Sequence, residues 1–307
     1  MTNAASTATG RPATSEMVRR LPEYLMIWVP LLLSAAHLIS FSIWTIWISF
    51  TPSTLVPVTG WVGLRNNTSV LASRNWQIAF DNLLLFGIAF VLLSLMTGLL
   101  LAILLDQRIR AENVLRTIFL YPLAVSFVVT GTVWSWLLNP GIGIEKLVHD
   151  LGWTSFHFDW LVNRDMAIWT IVIAAIWQSS GFAMALFLAG LRSVDADIIR
   201  AAQIDGAGPI RTYRRVILPT LWPITITVVV VQLQFAISAF DLVRALTNGG
   251  PGIATQLPAL VVYDLMFQRS QLGRGAAAAV LMLLILLAVL LPYAAWRYVQ
   301  RRQAAHA

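Results

Sequence analysis

Long apolar runs alternate with short polar segments along most of the chain. A helix needs about 20 apolar residues to cross the hydrocarbon core of a bilayer. Six runs reach about that length, and they span residues 25–50, 82–105, 114–138, 166–191, 216–240 and 276–298. Pro122 and Gly131 interrupt the third run, which a membrane helix tolerates where neighbouring groups satisfy the freed carbonyl. The pattern predicts an all-α, polytopic membrane protein with six transmembrane helices.

Polar segments flank this predicted transmembrane domain, which we place at residues 25–300. The N-terminal segment is rich in Ser, Thr and Ala, which predicts a disordered cytoplasmic tail over residues 1–24. The first apolar run is longer than a signal-peptide core and has no clear small-residue cleavage site, so we expect a retained membrane helix. Residues 301–307 are expected to form a second cytoplasmic tail.

The charge distribution sets the expected orientation. Only 11% of residues are charged, against about 25% in a soluble domain, and the net charge is +7. With the N-terminus placed inside, inner segments hold roughly twice as many Lys and Arg residues as outer segments. This bias predicts that both termini are cytoplasmic. Because the positive charges lie in short loops, they indicate contact with membrane lipid and not with nucleic acid.

Several kinds of chemistry are excluded by the residues present. A P-loop needs Lys followed by Ser or Thr, but the only lysine, Lys146, follows Glu145 and precedes leucine. There is no cysteine, which excludes disulfides and thiolate metal sites. The four histidines show no metal-ligand spacing along the chain: His37, His149, His157 and His306. We therefore expect no catalytic residue, no metal and no cofactor in this chain.

The polar segment between the fourth and fifth runs has an unusual composition. Residues 200–223 read RAAQIDGAGPIRTYRRVILPTLWP, with small residues, an Asp-Gly pair and four arginines. Apolar residues fall on one helical face over 195–204, Asp205-Gly206 breaks that helix, and Pro209 begins a second one. The segment 195–215 is thus predicted to form a helix-turn-helix elbow on the cytoplasmic side. The alternative from composition alone is an ordinary interfacial helix with a basic flank.

This elbow resembles the signature of permease subunits of bacterial ABC importers, which reads Glu-Ala-Ala, three residues, Gly, then Ile-x-Leu-Pro. The matching residues are Ala201, Ala202, Asp205, Gly206, Ala207, Ile217, Leu218 and Pro219. Residue types, spacing and topological position all agree. The resemblance implies that residues 200–207 and Pro219 couple the membrane helices to a separate ATPase.

A second stretch resembles carbohydrate permeases of the maltose and glycerol-phosphate class. It comprises LTNGGP at residues 246–251, then Thr255, Tyr263, Phe267 and the segment 273–277. The tracts RTIFLYP at 116–122 and LLNPG at 137–141 look most like the glucose/mannose and glucoside importers. The resemblance covers residues 25–300. It implies a loop that contacts the binding protein, formed by Asn248, Gly249, Gly250 and Pro251.

The resemblance also implies the rest of the assembly. A periplasmic or lipid-anchored sugar-binding protein delivers the substrate, and a second, different permease subunit completes the pathway in the bacterial inner membrane. Two ATP-binding subunits supply the energy, so ATP and Mg²⁺ belong to them and this chain is not an enzyme. The elbow then carries their closure to the membrane helices during alternating access.

Polar residues inside membrane helices are costly and are therefore candidates for a substrate pathway. By similarity to the maltose-type permease, we expect sugar contacts on the fourth and fifth helices. The candidates are Gln178, Ser179, Phe182, Gln232, Ser238 and Asp241. The alternative for each polar side chain is a hydrogen bond between helices, and Asp241 has Arg244 nearby as a possible ion-pair partner.

Two other interpretations stay open, one of the substrate and one of the transporter class. A substrate such as glycerol phosphate or another charged solute would require arginines facing the pathway, and Arg244 is the one basic residue placed to provide this. An ion-coupled secondary transporter would require carboxylates in mid-helix. The carboxylates here lie at the ends of the runs, as with Asp81, Asp106 and Asp241.

One residue departs from the family signature, because Arg200 stands where the family usually has Glu. The family's glutamate is expected to pair with a basic residue of the ATPase, and an arginine cannot do so. Our hypothesis is that the cognate ATPase offers an acidic partner; the alternative is that Arg200 points toward lipid headgroups.

Reversing this charge tests the hypothesis. In a reconstituted complex, Arg200→Glu should lower transport-coupled ATP hydrolysis, because it would place two like charges in contact. The measurement is ATPase activity with and without substrate. Unchanged coupling in the variant would remove Arg200 from the interface.

Overall fold

The computed structural model describes residues 13–107 and 109–306, with side chains from residue 26 onward except at 108, 196, 203, 209, 301 and 303–306. In this described part of the chain the regular secondary structure is helical, with no β-strand. The predicted all-α architecture is therefore confirmed.

The α-helices follow one another in this order: α1 Ala13–Ser49, α2 Arg65–Leu71, α3 Arg74–Leu105, α4 Glu112–Leu120, α5 Phe127–Leu137, α6 Ile144–Asp150, α7 Ala167–Arg192, α8 Ala196–Ile204, α9 Pro209–Thr212, α10 Leu218–Thr220, α11 Trp222–Ile237, α12 Phe240–Leu246, α13 Pro258–Tyr263 and α14 Leu272–His306. A 3₁₀ turn, Tyr121–Ala124, follows α4. Two π-helical segments, Tyr213–Ile217 and Asp264–Gln268, follow α9 and α13.

Four of these helices contain segments long and apolar enough to cross a membrane unaided: Met26–Ser49, Arg74–Leu105, Ala167–Arg192 and Leu272–Gln300. Two bent pairs pass the same test together, Glu112–Ala124 with Phe127–Leu137 and Ile210–Thr220 with Trp222–Ile237. The described residues thus provide four spans, or up to six if each bent pair is one span.

The third predicted run is not one continuous helix. Its two halves meet at 99° around the segment Pro122–Ser126. Pro122 has no N–H to donate, and a 3₁₀ turn takes the place of the α-helix there. The chain then extends at Val125, and the Ser126 hydroxyl caps α5 by accepting a hydrogen bond from the Val128 N–H at 3.2 Å. Gly131, the other suspected break, lies inside α5 without interrupting it.

The fifth predicted run is also divided. Its two halves meet at 66° near Pro223, and the second half, α11, ends at Ile237 instead of Phe240. Ala239 leaves the helical region at φ −72° and ψ 57°, so Phe240 begins a separate short helix. Both divided runs are consequences of local backbone geometry, which hydropathy does not report.

Helix ends differ from the predicted boundaries as well. α1 begins at Ala13, within the segment 1–24 that the composition predicted as a tail; residues 1–12 lie outside the described part. α14 continues to His306, within the second predicted tail at residues 301–307. Once a membrane helix is nucleated, each added residue gains a backbone hydrogen bond, which extends it past the apolar run. α3 begins at Arg74, eight residues before the predicted start, because Ser73 caps it.

Small residues bring the central helices together. α3 packs along α7, where a Cβ added at Gly98 would meet the Ala183 Cβ and the Met184 backbone nitrogen at 3.0 Å. At Gly131, an added Cβ would lie 2.8 Å from the Leu242 carbonyl of α12. Close backbone approach at small residues is the usual means of packing membrane helices, because hydrophobic burial supplies little driving force in lipid.

A substitution at the first of these contacts should weaken the fold. Gly98→Val is expected to destabilise the protein by about 1–3 kcal/mol, because the new side chain would force α3 and α7 apart. Thermal unfolding in detergent or nanodiscs measures this. Met96→Val is the matched control, since Met96 is 66% exposed on the same helix. Equal melting temperatures for both variants would contradict the close contact.

Candidate functional site

The predicted elbow has a defined geometry. α8 ends where Gly206 adopts a left-handed backbone with φ +76°. The Ala207 N–H then donates to the Ala202 carbonyl at 3.0 Å, and the Asp205 N–H donates to the Ala201 carbonyl at 3.0 Å. A six-residue closure around a left-handed glycine is the Schellman ending of a helix. The small residues of the signature therefore fix a tight turn.

The second limb of the elbow joins directly onto a membrane span. The Thr212 N–H donates to the Gly208 carbonyl at 3.0 Å, and α9 passes through the π-helical segment Tyr213–Ile217 into α10. Pro219 lies exposed near the start of α10. The segment Ile210–Thr220, which forms the first half of the bent fifth span, thus includes part of the elbow.

The elbow presents an apolar surface with a basic rim. Three isoleucines are largely exposed: Ile198 at 51%, Ile204 at 86% and Ile210 at 84%. Ala201 is exposed beside them, while Ala202 and Ala207 are half-buried. Arg211, Arg214 and Arg215 line a groove next to Ile210. Exposed large apolar side chains rimmed by polar groups mark a surface that contacts another protein or the membrane.

Arg200 finds a partner on its own helix. Its guanidinium Nη1 donates to Asp197 Oδ1 at 2.8 Å, and the two side chains are 71% and 80% exposed. An exposed pair of this kind contributes only about 0–1 kcal/mol to stability, so Asp197 does not prevent Arg200 from contacting another partner.

An ion-pair cluster that sequence reasoning missed anchors the base of the elbow. Arg192, at the end of α7, donates from Nη2 to Glu112 Oε1 at 2.6 Å, and its Nε lies 3.9 Å from Asp106 Oδ1. Through these ion pairs the end of α7 is held to the end of α3 and to the start of α4. The sequence did contain a signal for this cluster. Asp106 and Glu112 follow the second apolar run and Arg192 follows the fourth, so residues of opposite charge end two neighbouring runs.

Two predicted pathway residues are buried against neighbouring helices. Gln178, on α7, donates from Nε2 to the Val125 carbonyl at 2.7 Å, which satisfies the backbone at the break in the third run. Gln232, on α11, donates to the Ser94 hydroxyl of α3. Both side chains leave Oε1 without a hydrogen-bond partner in the described chain, and Ser179 is buried beside Gln178.

The other pathway candidates are more accessible. Phe182 is half-buried and meets Phe235 of α11 edge-to-face, with ring centroids 6.3 Å apart, so α7 and α11 are neighbours as expected. Ser238 and Asp241 are exposed at the break between α11 and α12. Asp241 does not pair with Arg244, whose guanidinium bonds to Asn248 and lies 4.9 Å from the Tyr263 ring centre.

The Asn248–Pro251 segment is a rigid loop. Asn248 and Gly249 have φ of 52° and 84°, both in the left-handed region. Thr255 holds the loop by donating from its hydroxyl to the Gly250 carbonyl at 2.8 Å and from its N–H to the Gly249 carbonyl at 3.1 Å. Hydrogen bonds within the chain therefore hold the backbone of this loop.

Asn82 ties this loop to the bundle. Its Nδ2 donates to the carbonyls of Ala254 and Gln256 at 2.9 and 3.0 Å. From the sequence, Asn82 is only the first residue of an apolar run. A single amide at the end of a membrane helix does, however, indicate a hydrogen bond to another part of the chain.

Folding brings together three potential metal ligands that are not evenly spaced along the sequence. Glu145, His149 and His157 each bring one potential ligand atom into a group whose members lie within 4.8 Å of one another. The chain folds back after α6, so residues that are distant in sequence become neighbours.

The chain matches the family of binding-protein-dependent transport system inner membrane components over residues 94–304. It belongs to this family, and it is a membrane permease subunit of an ABC importer. The bent fifth span, the elbow and the loop all lie within the matched region.

Individual relatives cover most of the chain. It is 38% identical to a probable ABC transporter permease of Pyrococcus horikoshii, over 91% of this chain and 96% of that protein. It is 36% identical to the xylose/arabinose import permease XacH of Haloferax volcanii, over 77% of this chain and 75% of that protein. It is 32% identical to the sn-glycerol-3-phosphate permease UgpA of Rhizobium meliloti, over 79% of this chain and 82% of that protein.

A solved structure has the same fold. The crystal structure of a bacterial ABC transporter that imports the acidic polysaccharide alginate contains a chain that superposes with a TM-score of 0.79. The match covers 94% of this chain and 98% of that chain at 19% sequence identity.

Proposed function

We propose that this permease imports a neutral sugar together with a second permease subunit, two ATP-binding subunits that hold ATP and Mg²⁺, and a periplasmic or lipid-anchored binding protein. Both termini are cytoplasmic, and residues 200–207 with Pro219 dock on an ATP-binding subunit. The observation that carries this proposal is the elbow: a fixed turn that exposes isoleucines and continues into a bent membrane span.

The elbow suits energy transfer for a physical reason. A ligand or partner shifts a conformational equilibrium only through contacts that differ between the two states. A turn closed by backbone hydrogen bonds moves as a unit, whereas a flexible loop would absorb the displacement. The anchor at Arg192 holds the other side of the elbow to α4, so displacement is directed into the fifth span.

A neutral substrate fits the pathway helices best. The sequence has no charged residue between Ala167 and Leu191 or between Trp222 and Ile237. These segments carry Gln178, Ser179, Phe182 and Gln232, and amide, hydroxyl and aromatic groups are what a sugar requires. The free Oε1 atoms of both glutamines would accept hydroxyl hydrogen bonds once the helices part. Ser238 and Asp241 lie at the accessible end of the same pathway.

The rigid loop supports a docking role for Asn248, Gly249, Gly250 and Pro251. Its backbone is ordered by Thr255 and Asn82, and the charge bias puts it on the outer side. A pre-formed loop loses little conformational entropy when it meets the binding protein.

Glycerol phosphate is the second candidate substrate. It is favoured by the relationship to a glycerol-phosphate permease and by a small cavity of about 180 Å³ whose lining includes Arg74, Arg269 and Arg274. None of the residues that line this cavity belongs to α7 or α11, the helices of the proposed pathway, so the neutral sugar is the better candidate.

Substrate-stimulated ATP hydrolysis distinguishes the candidates. The complete complex in lipid nanodiscs, with its binding protein, should hydrolyse ATP faster when a neutral hexose, pentose or glucoside is loaded. Stimulation only by glycerol phosphate or another charged solute would overturn the neutral-sugar proposal. A chain that purifies without any ATP-binding subunit would contradict the coupling proposal.

Substitutions at two glycines test the turn of the elbow. Gly206→Pro should uncouple ATP hydrolysis from uptake while leaving membrane assembly intact, because proline fixes φ near −65° and cannot adopt +76°. We expect uptake per ATP hydrolysed to fall by about tenfold or more, since the helix ending is lost. The assay pairs vesicle uptake with phosphate release.

Gly208→Ala is the matched control, because Gly208 also has open space around it but does not adopt a left-handed backbone. This variant should transport normally. Normal uptake by the Gly206→Pro complex would count against a rigid elbow.

A further inference from the structure

We infer that Glu145, His149 and His157 form a binding site for a divalent transition metal ion, best matched to Zn²⁺, in the segment between α5 and α7. One nitrogen or oxygen atom from each residue lies within 4.8 Å of the others. The inference does not depend on which solute the permease carries.

The ligands come from two parts of the chain that fold together. Glu145 and His149 are four residues apart on α6, so their side chains share one helical face. His157 returns from the following loop, and its Nδ1 lies 3.3 Å from Glu145 Oε1. Two atoms that each sit about 2.0–2.2 Å from a tetrahedral zinc ion are themselves separated by roughly this distance.

Hydrogen bonds prepare two of the ligands. His149 Nε2 lies 2.6 Å from the Phe156 carbonyl, which can only accept, so this nitrogen carries the proton. The lone pair is then on Nδ1, which is free to bind a metal. Donation of the second ring N–H to a backbone carbonyl is the common support of metal-binding histidines. The Phe158 N–H donates to Glu145 Oε2 at 3.2 Å and orients the carboxylate.

The charge balance also favours a cation. The Glu145 side chain is only 13% exposed, so its carboxylate is largely withdrawn from water. The nearby Lys146 pairs with Asp150 at 3.0 Å and is not available to neutralise Glu145. A bound metal ion would neutralise the carboxylate that the fold has withdrawn from water.

The donor set narrows the choice of metal. Two imidazoles and one carboxylate suit Zn²⁺, and they fit Ca²⁺ or Mg²⁺ poorly because those ions prefer oxygen ligands. Three protein ligands leave one position of a tetrahedral site for water.

A metal here would fasten a row of aromatic rings. Trp153, Phe156, Phe158 and Trp160 follow one another in contact, with successive ring centroids 5.4, 6.5 and 4.9 Å apart. Phe156 and Phe158 supply the backbone groups that hold His149 and Glu145. The metal would therefore lock this loop against α6 and fix the positions of these rings, of which Trp153 is exposed and the other three are half-buried.

The test uses the full chain in nanodiscs, purified with a tag that contains no histidine and treated with a chelator. Titration with Zn²⁺ against a colorimetric zinc indicator should give about one ion per chain. Co²⁺ in the same site should give visible absorption bands typical of low coordination number. His157→Ala should weaken Zn²⁺ binding at least tenfold, and this residue is 75% exposed, so the fold should tolerate the change.

Two further variants keep the result interpretable. Glu145→Gln keeps the size of the side chain and a hydrogen-bond acceptor for Phe158 but removes the charge, and it should also lose the ion. His37→Ala, in α1, removes an exposed histidine elsewhere and should bind as the unchanged chain does. Equal Zn²⁺ binding by all variants, or none by the unchanged chain, would overturn the site.

Discussion

Inside a bilayer every backbone N–H and C=O must find a partner within the protein, because lipid offers none. The breaks in this bundle are possible only where a side chain or a local turn meets that demand. At the break between α4 and α5, the Gln178 amide donates a hydrogen bond to the Val125 carbonyl, and the Ser126 hydroxyl caps the start of α5. The same requirement explains why polar residues lie where α7 and α11 meet other helices. Gln178, which supports this break, is also one of the side chains that we propose to face the solute.

The elbow, which we propose lies on the cytoplasmic side, also depends on satisfied backbone groups. Its turn is closed by backbone hydrogen bonds around Gly206, and its second limb is part of a membrane span. The exposed isoleucines give a partner something to bind, while Arg192 fixes the neighbouring limb to α4. A movement imposed at the turn therefore reaches the bend near Pro223 through continuous helix. This connection is the physical basis of the proposed coupling, and it assigns no catalytic group to the chain.

The sequence predicted the helical class, the number of runs and the position of the elbow, because hydropathy and glycine placement act locally. It identified Pro122 as an interruption of the third run, but it predicted neither the 99° bend there nor the bend near Pro223, since a proline tolerates either a gentle kink or a complete break. It also missed the contacts that depend on tertiary folding. Asn82 meets a loop more than 170 residues away, and His157 meets Glu145 only because the chain reverses after α6. Spacing along the sequence cannot report contacts of that kind.

A distance measurement within the elbow tests the central claim most directly. The chain has no native cysteine, so spin labels can be placed at Asp197 and Ile210 for one pair and at Ile204 and Val162 for another. The complete transporter would be measured without nucleotide and with ATP trapped. A rigid elbow predicts a narrow and unchanged distance for the first pair and a shifted distance for the second. A broad first distribution, or one that changes with ATP while the second stays fixed, would contradict the account.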